Sequence, residues 1–392
     1  MLKPMLSGKS FSALFVFTIV AILFIFYGQS YSQPDAQEVL LAKMGALPFG
    51  YGQHTLGGCL NSGCKCEVTN LNDSGSGSLR SCVESDLPKW VVFGGGGRGI
   101  IKLQTPLLVG SNTTVDGRGP NAVTIQTSLG HIMYIADSSN IIISDLSFRV
   151  LLNARCSNPK RAADTMNCGG GISIVGASKN VWINQNLFES CGGKCVQAWT
   201  AGKTPDSQEG GDLITISGNL FRKSFYGALV GAAHDLKNNQ IPTMRVTFYR
   251  NVFDNIDRRS PRASELSRVH ALNNVVKNWG SDICHDAIAE AFAASSRSGA
   301  QLFLENNLFS ARNSAQACKV ATNIEGGFVR ATGNVSENGA IIRQYGPTRV
   351  FDPHKVAPEY YDYTPEPMTA ALEAYVERNV GPRLNVPVPD IP

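Results

Sequence analysis

With 392 residues, 43% apolar side chains and only 17% charged, the chain is able to bury a large core, which argues against disorder. Thirty-nine glycines and nineteen prolines imply many turns, and so one elongated, turn-rich domain. A formal charge of +4, with no dense Lys/Arg stripe interleaved with aromatics, argues against nucleic acid and suits an acidic polymer.

The chain opens with Lys3 and Lys9, an apolar run from Phe11 to Tyr27 and the small-residue pattern Ser30-Tyr31-Ser32. That order reads as a secretory signal over residues 1–32, cut before Gln33, with an uncleaved signal anchor as the alternative. No later stretch is long and apolar enough to span a bilayer, so the expectation is a secreted protein, free of the membrane after cleavage. Ten cysteines fit an oxidising compartment. Cys59, Cys64, Cys66 and Cys82 cluster near one end, Cys156 and Cys168 flank a polar loop, Cys191 and Cys195 sit close, and Cys284 and Cys318 bracket a later segment. Local staples are expected, zinc being the competing reading for the first cluster, although no histidine or CxxC spacing supports it. Sequons begin at Asn72, Asn112 and Asn334. The run Gly94 to Gly97 follows a strand-like Trp90-Val91-Val92-Phe93 with no helix after it, so it is a turn and not a phosphate loop.

From about residue 100 to 336 one phrase recurs, a short β-branched stretch followed by Asn and a large apolar pair. The instances are Asn140-IIISDLSF, Val181-WINQNLF, Leu213-ITISGNLF, Arg245-VTFYRNVF, Arg268-VHALNNVV and Gln301-LFLENNLF. The Asn before the final pair falls at 186, 219, 251, 274 and 307, in steps of roughly twenty to thirty-five residues that suit solenoid coils carrying loops. Such a strand cannot bury its apolar side alone, whereas stacked copies build continuous parallel sheets, and Asn at the same turn of each coil stacks as a ladder. Two-residue hairpin signals are scarce, which disfavours a β-sandwich. The reading is an all-β protein, a right-handed parallel β-helix over residues 33–340, followed by a Pro-rich segment, 341–392. A helix from Met368 to Asn379, with Met368, Leu372, Tyr375 and Val376 on one side, would cover an end or pack along the flank.

Read in order, the phrases resemble polysaccharide lyase family 1, the pectate and pectin lyases. Phe49-GYGQHTLGG, Glu67-VTNLNDSGSGSLR and Ser111-NTTVDGRG are similar to the family's opening segments. Asn180-VWINQNLF stands where the family has a tryptophan-aspartate-histidine strand. Arg259-Ser260-Pro261 and Val269-His270-Ala271-Leu272-Asn273-Asn274 stand at its arginine-x-proline and histidine-asparagine-asparagine phrases. The resemblance spans about residues 46 to 336. It implies β-elimination on a polyuronate, in which a base removes the proton at C5, and the bond to the C4 oxygen then breaks. It also implies Arg259 as that base, a role that needs a buried, cation-crowded site, because free guanidinium keeps its proton. Arg258 and Arg262 supply such crowding in the sequence.

The chain departs from the family where calcium is held. The expected acids fall at Cys168, Gly170, Gly193 and Gln197, none of them acidic, and a hard cation needs several oxygen ligands. The aspartate-histidine pair is Asn184-Gln185. The family's substrate-binding lysine is replaced by Tyr226, which looks more like the pectin lyases, and Lys194 falls where an ammonium would stand in for the metal. Tyr226 and Trp199 are candidates to stack on sugar rings. Only Asp206, Glu209 and Asp212 would rescue calcium binding, and Arg155, Lys160 and Arg161, in the loop from Asn153 to Asn167, would meet an acidic polymer. The resulting expectation is a secreted, monomeric lyase on pectate or pectin, with Arg259 catalytic, Lys194, Tyr226, Arg258 and Arg262 binding substrate, and no cofactor, calcium being possible but lacking its usual acids. The alternative is a catalytically degenerate β-helix that binds an acidic wall glycan. A β-helix hydrolase would need paired carboxylates that the strands do not show.

Overall fold

The repeated β-branched phrases lie side by side, each on the next copy of itself. Val181 pairs with Ile141 on one side and Ile214 on the other, and Ile183 with Ile143 and Ile216, all in parallel register. Continued through the chain, this makes one sheet of ten strands, running from Lys65–Val68 to Phe328–Thr332 and here called sheet A. A further sixteen strands form two ladders, sheets B and C, which share the long strand Leu220–Gly231. A coil runs B, A, C, as in Gly170–Val175, Lys179–Asn184 and Leu187–Glu189. The architecture is the expected right-handed parallel β-helix. The structure, a computed structural model, describes residues 49–58, 62–128, 130–151, 168–199, 211–231, 244–265, 267–279, 292–312, 320–324, 326–342, 361–384 and 386. The signal segment 1–32, Cys59, Cys156, Cys284, Cys318, the loop carrying Arg155, Lys160 and Arg161, and Asp206 and Glu209 lie outside the described residues.

The core is a set of stacks. Phe148, Phe188, Phe221 and Phe253, the final apolar residues of successive phrases, lie with ring centroids 4.9, 4.9 and 4.5 Å apart and almost parallel. Each buried phenyl or isoleucine contributes about 1.5–3 kcal/mol, and every coil repeats the gain. The turn from sheet A to sheet C carries the asparagine ladder. Asn186, Asn219, Asn251, Asn274 and Asn307 each donate from Nδ2 to Oδ1 of the next, at 2.9 to 3.1 Å. The same Oδ1 atoms also accept from the backbone N–H of the preceding asparagine. Asn334 ends the ladder, and its Nδ2 is engaged with the carbonyls of Leu304 and Thr332, so this sequon has a structural use for its amide. The residue before the ladder position is left-handed in coil after coil, at Asp145, Gln185, Gly218, Arg250, Asn273 and Asn306.

At the N-terminal end a short helix, Leu79–Val83, tucks Leu79, Cys82 and Val83 into the core and is tied to the first strand by the Cys66–Cys82 disulfide. Cys64 is disulfide-bonded as well, which removes it from any zinc set. Cys191 and Cys195, expected as a local staple, are instead free thiols, completely buried. Gly94 to Gly97 makes a turn whose closeness requires glycine, since a Cβ on Gly96 would meet the Thr69 carbonyl at 2.2 Å.

The C-terminal helix, Ala370–Arg378, is capped by Thr369 and buries Leu372 and Val376 against Val252, Val275 and Leu308 on sheet C, so it covers the flank rather than an end. Residues 361–384 form a strap along the coils. Tyr361 bonds Thr247 at 3.0 Å and His270, Glu366 pairs with Arg250, Glu377 with Lys277, and Arg383 with Asp145 at 2.6 Å.

Candidate active site

Where the chain passes from sheet C to sheet B, successive coils place one residue each in a row. Gly170 lies in register with His131, Lys194 with Tyr226, and Tyr226 with Arg258. Gly170 joins the two halves: a Cβ there would meet the Lys194 carbonyl at 2.3 Å and the His131 Nε2 at 2.8 Å. Beside this row the next outward-facing positions of sheet B are Tyr134, Ser173, Gln197, Leu229, Arg262 and Ser295. Two rows about 4.8 Å apart per coil therefore hold His131, Lys194, Arg258, Arg259 and Arg262 together.

Arg259 sits on the turn after Val252–Arg258, with a left-handed backbone (φ 67°) and a cis Ser260–Pro261 peptide following. Its carbonyl accepts the Ala228 N–H at 2.6 Å, an approach possible because residue 227 is glycine, whose Cβ would stand 2.6 Å from that oxygen. The guanidinium lies over the Tyr226 ring, 4.2 Å from its centroid. Tyr226 is only 4% exposed, and its ring underlies the Arg259 guanidinium.

Arg258 and Arg262 come to the same place and are both nearly buried. Arg258 is 7% exposed, bonded to Asp257 at 2.8 Å and laid over Phe225; Arg262 is 3% exposed and bonded to Ser295 Oγ at 2.9 Å. Lys194 is the outward ammonium of the group. Burial, then Arg259 and Arg262, push it down to about 8, because every one of these influences disfavours its charged form. His131, which the sequence reading did not single out, is pushed down to about 4 by burial and then by Lys194, and its Nε2 is buried without a hydrogen-bond partner. It is neutral at physiological pH. Trp199 stands half-buried at the end of the Lys194–Trp199 strand, two positions beyond Gln197.

The residues at the family's calcium positions do not fit the ion. Gly170 and Gly193 have no side chain, Gln197 donates to Ser173 at 2.8 Å, and Cys168 is disulfide-bonded. Asp212 offers no rescue, since its two carboxylate oxygens are held by Arg245 at 2.6 and 3.0 Å. Among the described residues no three His, Cys, Asp or Glu side chains converge on a metal position.

A sequence profile described as pectate lyase matches residues 101–383. The chain belongs to the pectate lyase family. It is 28% identical over 322 residues to pectate lyase 1 of Cryptomeria japonica, covering 78% of this chain and 79% of that one. It is 27% identical over 322 residues to a pectate lyase of Zinnia elegans, covering 78% and 73%. Among solved structures, the cedar pollen allergen jun a 1 superposes with a TM-score of 0.66 at 20% identity, over 91% of this chain and 97% of that one. This family member therefore carries the parallel coil plan, with Arg259 on a left-handed turn before a cis-proline.

Proposed function

We propose that this pectate lyase family member is secreted and cleaves polygalacturonate, or its methyl ester, by β-elimination at the cationic rows without a calcium cluster. The observation that carries the reading is Lys194, held beside Arg259 and Arg262 where family acids would hold metal. Arg259 takes the C5 proton; the electron pair becomes the C4=C5 double bond, the C4–O bond breaks, and the leaving oxygen takes up a proton. Lys194 crowds Arg259 with like charge, and Tyr226 fixes its direction. The Lys194 ammonium faces the uronate carboxylate or ester carbonyl and stabilises the negative charge that develops there. Arg258 and Arg262 act through their field rather than by contact, and His131 adds an uncharged hydrogen-bonding nitrogen at the end of the row.

Two neighbours in structure support an acidic glycan as substrate. The pectate lyase of Bacillus sp. N165, 20% identical with a TM-score of 0.51, is described in complex with trigalacturonate, and another pectate lyase, 16% identical with a TM-score of 0.55, as bound to a hexasaccharide. The test is ultraviolet detection of unsaturated product from unesterified and methylated polygalacturonate, with calcium or chelator, beside an Arg259→Ala control. Chelator-insensitive cleavage lost in the control is expected. Cleavage that needs calcium would remove the role given to Lys194, and no cleavage by the folded protein on either polymer would leave a glycan-binding β-helix.

A further inference from the structure

The turn from sheet A to sheet C, at the far end of the sheet C strands from the cationic rows, holds a second opening. A cavity of about 90 Å³ is lined by Trp182, Asn184, Gln185, Gly218, Arg250 and Tyr375, with others. It exists because Gly218 interrupts the row of left-handed turn residues. Gln185 on the coil before and Arg250 on the coil after carry long side chains at the same backbone conformation, and Gly218 carries none. A Cβ there would stand 2.6 Å from Gln185 Nε2. Tyr375 and Val376 of the C-terminal helix close the other side.

The walls carry polar atoms with nothing to bond. Trp182 Nε1 donates to Ser217 Oγ at 2.7 Å, and that hydroxyl donates to Asn184 Oδ1 at 2.9 Å. The relay uses the amide's acceptor and leaves Nδ2 without a partner, on a side chain only 3% exposed. Gln185 Oε1 and Arg250 Nε are buried without partners as well. Buried polar atoms are rarely left so, and three on one cavity mark a place where a ligand or water completes the bonding. The set is mixed: two donors and one acceptor. The Arg250 charge is already balanced by Glu366, and its guanidinium is spread over Tyr249 and Tyr375, at 5.0 and 5.3 Å from their centroids. A fitting group is therefore uncharged and both donates and accepts, which describes a hydroxyl. The volume equals about three water molecules' share of the liquid, enough for the hydroxyl-bearing edge of a sugar. At the rim the Tyr375 ring, 47% exposed, offers an apolar face to the rest of such a ring.

We propose that this opening is a second sugar-binding site, taking a neutral, hydroxyl-rich glycosyl residue, and that it is separate from the cationic rows. It requires no lyase chemistry, and a second point of attachment would raise the residence of the protein on a polymer network. The experiment is saturation-transfer NMR on the full chain with methyl β-galactopyranoside and galacturonate as probes, repeated on Gly218→Asn and Tyr375→Ala. Asn tolerates the left-handed turn and fills the gap, and Tyr375 is half exposed, so its loss spares the core. Transfer to the neutral glycoside is expected, weakened about tenfold in either variant, the scale of one lost contact, with cleavage of polygalacturonate unchanged. No transfer to either probe would mean that the cavity holds water alone. Transfer surviving both variants, or a preference for galacturonate, would equally overturn the proposal.

Discussion

The two ends of the sheet C strands are built on the same spacing and behave in opposite ways. At one end the repeated side chain is an amide, which donates upward and accepts from below, so each added coil satisfies the one before it. At the other end the side chains brought together include cations and a neutral imidazole, and burial with like charge makes the protons of Lys194 and His131 harder to keep. A solenoid turns sequence repetition into vertical columns, and the chemistry of the repeated group decides whether a column stabilises the fold or stores electrostatic tension for use.

The contrast is broken most severely at Arg259. Arg259→Ala is expected to lower kcat by about 10²–10⁴, the usual scale for loss of a proton-transfer group, with an unchanged melting temperature. The opposite pattern belongs to the ladder. Asn251→Ala removes the acceptor for the Asn219 N–H and Nδ2, both at 3.0 Å, and should destabilise the protein by about 2–4 kcal/mol in urea titrations. Its pH–rate profile should not move.

Lys194 sharpens the comparison in the pH dimension. Its ammonium is present below a pKa of about 8 and lost above it, so kcat/KM should fall as pH rises through 8. Lys194→Arg, charged throughout, should move that limb upward; a limb that stays in place would assign it to another group. The smallest expected effect is on His131. Its folded value, about 4, lies below the ordinary 6.5, so the unfolded chain binds the proton first, and stability should decline as pH falls from 6.5 to 4. His131→Gln should flatten that part of the urea-midpoint curve.

Much of this plan was legible in the residues. The asparagine ladder, the phenyl stack and the Met368–Asn379 helix follow from spacing, because a solenoid converts a recurring phrase directly into contact. Arg259 stood out only through the phrase around it, and its place on a left-handed turn over Tyr226 was not legible. How far Arg262 and Tyr226 are buried was not legible, since direction at a corner depends on the turn, here a left-handed residue and a glycine that admits a carbonyl. His131 was missed because nothing adjacent to it in sequence carries chemistry. Its signal is the register with Gly170, which appears only once the strands are aligned. The gap at Gly218 was hidden for the same reason: its neighbours Gln185 and Arg250 are each about one coil away.

The strap has a consequence for the order in which the molecule is made. Arg383 reaches back to Asp145 across 238 residues, and Tyr361 to His270 across 91. On a ribosome the coils emerge from the N-terminal side and are able to stack one upon another as they appear, yet the contacts that clasp their flank are encoded after the last of them. A nascent chain thus holds a stacked spool before its fastener has been synthesised.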